Sequence, residues 1–199
     1  MTRIINTISS IPAPDEVFIS LGIRDAAAKE QLSREVESAI NELSAVIKPL
    51  ACFDQYKISF DGNLIDLGFA RVQSRDLAKN LRGCDSVILI TATVGLGVDR
   101  LIAKYSRISP SRALILQAVG AAAVERLLDE ISSGFKSCGA VLRPRFSCCY
   151  GDLPLTLQKD IFSALNCEKN IGVSLTESLL MTPTKSVSAI IGIENEVKI

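Results

Sequence analysis

Histidine is absent from this 199-residue chain. Its absence removes histidine general bases, Ser-His and Cys-His dyads, and imidazole metal ligands together. Tryptophan is absent as well, and aromatic residues amount to only 5%. Few flat side chains remain to stack on bases, which argues against a nucleic-acid partner. Neither sign of charge is in excess, because 22 Lys+Arg face 22 Asp+Glu. Composition therefore supplies no drive toward nucleic acid or an anionic membrane. The six cysteines, Cys52, Cys84, Cys138, Cys148, Cys149 and Cys167, include no C-x-x-C pair, so no metal site is expected. Long apolar runs are missing too. The longest, residues 113–124, is interrupted by Gln117 and Gly120 and closed by Glu125-Arg126, so no membrane span is expected. The start, Met1-Thr2-Arg3-Ile4, has none of the apolar run of a secretory leader. Free thiols in a reducing cytoplasm are the corresponding expectation.

What is present is a large apolar fraction, 48%, enough to bury a sizeable core in one domain. Residues 1–14 read as a loosely held arm ending in Pro12-Ala13-Pro14, with a single domain over 15–199. Leu32, Val36, Ile40, Leu43, Ile47 and Leu50 recur at helical spacing and predict one long amphipathic helix stopping near Pro49. Tyr56, Ile58 and Phe60 alternate with polar residues, Asp61-Gly62-Asn63 supplies a turn, and residues 64–69 read as the returning strand. Ser74 is placed to cap a short helix ending near Gly83. Residues 87–93 are apolar on both faces, as in a central strand. Two helices follow, one carrying Val98, Leu101, Ile102 and Tyr105, the next opened by Ser109-Pro110 and stopping at Ser133-Gly134. Residues 140–142 and 187–193 read as strands, and 155–165 as a helix. The expected class is α+β: a twisted, mainly antiparallel or mixed sheet flanked by helices.

Chemistry concentrates in Arg145-Phe146-Ser147-Cys148-Cys149-Tyr150-Gly151-Asp152-Leu153-Pro154. A cation, an aromatic ring, two thiols and irregular backbone stand together before a helix that Asp152 is placed to cap and whose first turn suits Pro154. Such a segment suits a ligand with a carboxylate and a flat ring. Each residue also has a plainer reading. Arg143 and Arg145 are either surface cations or include one that the loop fixes for a carboxylate. Tyr150 is either core or a ring-stacking contact. Cys148 and Cys149 are either a redox or thiol site or two half-buried thiols without a role. Glu177, in Leu175-Thr176-Glu177-Ser178, either pairs with a loop arginine or is a helix-start carboxylate behind a Thr176 cap. Gly95-Leu96-Gly97 imitates the opening of a dinucleotide fingerprint, but Arg100 stands at the third glycine, which favours a strand-to-helix turn. The small residues 118–123 point to close packing of a helix.

Together these segments resemble the activation (reactivation) domain of cobalamin-dependent methionine synthase, in its standalone form. Arg145 and Tyr150 match the family's arginine, three variable residues and Gly-Tyr, with Cys149 at the glycine. Leu175-Thr176-Glu177-Ser178 and Ser186-Val187-Ser188 match two further family segments. Val98-Asp99-Arg100-Leu101 and Tyr105-Ser106 are weaker matches. The resemblance implies an activation-domain fold that binds S-adenosylmethionine and docks on a corrinoid protein. There, cob(II)alamin held by the partner takes an electron from a flavodoxin-type donor and a methyl group from adenosylmethionine. It implies cofactor contacts at Arg145, Cys148, Cys149, Tyr150, Gly151 and Glu177, with Arg145 on the methionine carboxylate. No residue need act as acid or base, since the sulfonium is already activated and positioning is the task. The resemblance thus implies an accessory component of a methyltransferase. It is expected to act in trans on a corrinoid methionine synthase or methyltransferase, since it has no Asp-x-His-x-x-Gly motif of its own. A docking partner without a working pocket, and an unrelated nucleotide-binding enzyme, are the alternatives.

Overall fold

The computed structural model describes residues 2–6 and 9–194. Residues 1, 7 and 8 of the expected arm lie outside that range. Its centre is a four-stranded antiparallel sheet formed by β1 (Arg3–Ile5), β2 (Leu50–Lys57), β6 (Ser86–Thr93) and β9 (Ser186–Ile193), in that order. The arm therefore supplies an edge strand, with Ile4 opposite Cys52. β6 lies between β2 and β9, as its two-sided apolar sequence predicts, and pairs antiparallel with both.

Alternation along β6 divides the core. Ile88, Ile90 and Ala92 face α5 (Pro110–Ser137), against Leu127, Leu128, Ile131 and Phe135. Val87 and Leu89 face the opposite way, toward Leu157, Ile161 and Leu165 of α6 (Leu157–Leu165) and Cys167 of α7 (Cys167–Ile171). Outside α5 pack α1 (Pro14–Leu21), α2 (Ala26–Ser44) and α4 (Leu96–Ile108). Burying an aliphatic side chain of this kind stabilises by about 1.5–3 kcal/mol, and β6 contributes such residues to both layers.

On the α6 side sit a small sheet and α3 (Arg75–Asn80). The small sheet comprises β3 (Ser59–Asp61), β4 (Leu64–Asp66) and β5 (Arg71–Gln73). The Asp61-Gly62-Asn63 turn joins β3 and β4 as read from sequence. Ser74 caps α3 by accepting the Leu77 N–H at 3.0 Å. A final hairpin pairs β7 (Ser174–Leu175) with β8 (Met181–Thr182).

Several boundaries differ from expectation. α2 stops at Ser44 rather than near Pro49, because residues 50–57 are claimed by the sheet. The apolar period of a helix and the first inward residue of a buried strand coincide at Leu50. α5 passes through Gly134 to Ser137, where no side chain is needed and no left-handed turn occurs. α6 begins at Leu157, after Thr156, so Asp152 and Pro154 precede it rather than opening it.

Candidate functional site

The loop is hung on the outer edge of β9. Phe146 and Ile190 exchange both backbone hydrogen bonds, at 2.9 and 2.8 Å, and Leu142 bridges to Ile193. Between these bridges Arg143, Pro144 and Arg145 lie opposite Ile191 and Gly192, one residue too many for regular pairing. An extra residue of this kind re-aims side chains, and the two arginines leave on opposite sides. Arg143 turns toward α3, donating to the Arg82 carbonyl at 2.8 Å and pairing with Glu194 at 2.8 Å. Arg145 turns toward α5, pairing with Glu125 at 2.8 Å and Asp129 at 2.6 Å. The charged turn of α5 from Glu125 to Asp129 is thus the holder of Arg145. Both carboxylates are more than half exposed, at 57% and 67%, so each pair contributes about 0–1 kcal/mol. They fix direction more than they stabilise.

Beyond Phe146 the chain turns tightly. The Tyr150 N–H donates to Ser147 O at 3.1 Å, and the Cys149 N–H to Leu153 O at 3.0 Å. Cys149 has φ 68, the left-handed region. A glycine adopts that conformation freely, whereas a side chain costs about 1–2 kcal/mol. Gly151 has φ 52, and a Cβ there would lie 2.1 Å from an Asp76 carboxylate oxygen. Tyr150 is left 69% exposed, its ring meeting the edge of Phe146 at 5.8 Å.

Asp152 does not cap the helix that follows it. Its carboxylate reaches back to the start of α3, accepting from Ser74 Oγ, from the Arg75 N–H at 2.8 Å and from the Asp76 N–H at 3.2 Å. Asp76 returns the bond by accepting the Asp152 N–H at 3.2 Å. Hydrogen bonds from Ser74, then from the Arg75 N–H, hold the Asp152 carboxyl down at about 2. The brace joins two segments far apart in sequence, which is why a local reading assigns the cap to the nearer helix.

A hollow of about 410 Å³ opens between this loop and α3. Tyr150, Gly151, Phe146 and Arg143 form one wall, and Asp76 and Lys79 the other. Its volume lies within the usual range for small-molecule sites. Of the residues expected from sequence, Tyr150 and Gly151 meet here. Cys148 is half-buried against the α6-side core, and burial, with Cys149 next, pushes its thiol up to about 11. Cys149 is exposed. Arg145 is on the far side of the bulge. Glu177 is exposed on the β7–β8 turn, where Leu180 N–H bonds Thr176 Oγ1, and it forms no ion pair among the described residues. No helix starts at Thr176. Asp76 and Lys79 went unnoticed in the sequence because α3 is short and lies far from the loop along the chain.

The Gly95–Gly97 turn is accounted for by packing. A Cβ on Gly97 would lie 2.5 Å from the Val46 carbonyl oxygen, and the strand preceding the turn is flanked by antiparallel neighbours, not by the parallel strands of a dinucleotide fold. Gly120 is closed in by Val98 and Lys185 side chains at 3.1 and 3.2 Å. The described residues contain no cluster that could hold a metal ion, and no helix of theirs is long and apolar enough to cross a membrane.

Residues 144–199, which begin at the loop and include β9, match the family model "Vitamin B12 dependent methionine synthase, activation domain". The whole chain has that fold. It superposes on a crystal structure of the MetH reactivation domain bound to AdoHcy with a TM-score of 0.73 at 14% identity. The match covers 100% of this chain and 80% of that one. No curated protein matches the sequence. The activation-domain fold agrees with the α+β class read from sequence, with every pairing in the main sheet antiparallel.

Proposed function

We propose that this chain binds S-adenosylmethionine beside the loop 145–153 and serves as a reactivation module for a corrinoid protein acting in trans. The observation that carries the reading is Tyr150, an exposed ring over an open hollow, on the very loop where the family match begins. The AdoHcy in the similar structure belongs to that protein, and it makes the ligand class a natural one for this fold.

In this reading the adenine end lies against Tyr150 and the backbone around Cys148, Cys149 and Gly151. Arg145 lies outside the hollow, on the α5 side of the bulge, so it receives the methionine carboxylate only where the ligand spans the loop and displaces one of its present partners, Glu125 or Asp129. Glu177, exposed on the β7–β8 hairpin, is the further contact of this reading. Adenosylmethionine supplies a methyl group already activated on sulfur, and the chain's residues bind and orient it. For a corrinoid cobalt in the +2 state, one electron from a flavodoxin-type donor and the methyl group together account for the product and leave S-adenosylhomocysteine. The corrinoid belongs to the partner, and a reducing cytoplasm is the setting that fits free thiols.

Calorimetric titration of the reduced protein with S-adenosylmethionine tests this. Saturable binding lost in Arg145→Ala supports the reading and warrants adding a corrinoid partner and reductant. Absence of binding at millimolar ligand refutes it for the isolated chain. The ion pairs already formed by Arg145, and the Cys149 side chain in place of glycine, then favour a docking partner whose pocket no longer works.

A further inference from the structure

A second hollow, of about 290 Å³, lies on the other side of α3 and shares Lys79 with the first. Its wall has no acidic residue. Phe60 and Asn63 come from the β3–β4 hairpin, and Arg75, Lys79 and Arg82 from α3 and the turn after it. All three cations are exposed. Lys79 and Arg82 form no ion pair among the described residues, and Arg75 has only Asp152 at 3.7 Å. The chain as a whole carries net charge +0, so this concentration is local and does not follow from a basic composition. Arg75 and Lys79 stand one helical turn apart, a spacing at which like charges repel. An anion seated among them relieves that repulsion, and guanidinium groups suit the tetrahedral oxygens of phosphate. Beside them Phe60 is 42% exposed and offers an apolar face.

We propose that this hollow is a binding site for an organic phosphate carrying a flat ring, with the phosphate between Lys79 and Arg82, supported by Arg75, and the ring against Phe60. The site shares only Lys79 with the hollow of the adenosylmethionine reading. A concave floor distinguishes it from a flat cationic face for an acidic protein. Around it Gly62 and Gly83 sit at positive φ with nothing within 4 Å of a built Cβ, so their amides report on anything that enters.

The test is nuclear magnetic resonance of the nitrogen-labelled chain titrated with adenosine 5′-monophosphate, inorganic phosphate and adenosine in turn. The monophosphate is expected to shift the Gly62, Lys79 and Gly83 amides saturably. Inorganic phosphate should shift them more weakly, and adenosine should leave them unmoved. Lys79→Glu with Arg82→Glu should lower monophosphate affinity at least about tenfold while circular dichroism is unchanged, since both side chains are exposed. Phe60→Ala should lower monophosphate affinity about fivefold without altering that for inorganic phosphate. The proposal is overturned if no saturable shift occurs at millimolar monophosphate, or if the shifts centre on Tyr150. It is equally overturned if a poly-glutamate peptide, and not the monophosphate, moves Gly62 and Gly83. That last result would make the face a docking surface for an acidic protein.

Discussion

Replacing Gly97 with alanine places a methyl group 2.5 Å from the Val46 carbonyl oxygen and 3.2 Å from the Val46 Cβ. The obstructing atom is backbone, in the turn between α2 and β2, so it cannot rotate aside. Overpacking of this kind costs about 1–3 kcal/mol. Against it stands the gain from exchanging glycine for alanine within a helix, about 1 kcal/mol at most. A net loss of up to about 2 kcal/mol remains, about 1 kcal/mol at mid-range, which for a chain of this size lowers Tm by about 2–4 °C at mid-range and about 8 °C at most. Gly134 provides the matched control. It lies inside α5, has ordinary helical backbone, and has nothing within 4 Å of a built Cβ. Gly134→Ala should therefore stabilise by about 0.5–1 kcal/mol. Thermal unfolding followed by circular dichroism, with urea titrations for both variants, measures the pair. If Gly97→Ala melts at or above the wild-type temperature while Gly134→Ala behaves as stated, the packing account of this turn is wrong. The glycine would then need another explanation, the nucleotide reading included.

Three further outcomes follow from the loop. The Asp152 carboxyl is held at about 2, below the unfolded value of about 4, so it stabilises the fold above that unfolded value and loses its effect as pH falls toward 2. Asp152→Asn should flatten the decline in urea midpoint between about pH 4 and pH 2; an unaltered acid limb contradicts the brace. Cys149→Gly should stabilise by about 1 kcal/mol by removing a side chain from φ 68, read as a higher urea midpoint at constant slope. In native thiol labelling at pH 8, exposed Cys149 and Cys138 should react first. Cys148, raised to about 11, should lag, and buried Cys52 and Cys167 should react only on unfolding. Early modification of Cys167 would show that the α6-side core opens in the native state.

Elements whose pattern is carried by their own residues were legible in the sequence. β6 reads as central because both of its faces are apolar, and Ser74 reads as a cap because the capped N–H lies three residues on. The β3–β4 hairpin was announced by Asp61-Gly62-Asn63. α1 escaped notice because eight residues give too little period, and Leu50 was assigned to a helix because one apolar residue satisfies two patterns. At the candidate site, sequence named the loop, Tyr150 and Gly151. It did not reveal the bulge at Pro144, since an extra residue exists only relative to β9. Nor did it show that Asp152 serves α3, or that Asp76 and Lys79 face Tyr150. Those relations join residues brought together by the fold, and no local spacing encodes them.

The position of β9 has a consequence for how the molecule is made. β6 is almost wholly buried, yet the strand that covers one of its edges is the last element of the described chain, with Thr93 awaiting Ser186 and Ser86 awaiting Ile193. During synthesis, α5 and α4 emerge long before that partner. Through that interval β6 presents an apolar strand with open hydrogen-bonding groups, a template for pairing with another chain. The strand on whose outer edge the candidate ligand loop hangs is therefore also the strand that closes the sheet. Substitutions that weaken β9, residues 186–193, should lower yield of soluble protein even where the ligand site itself is untouched.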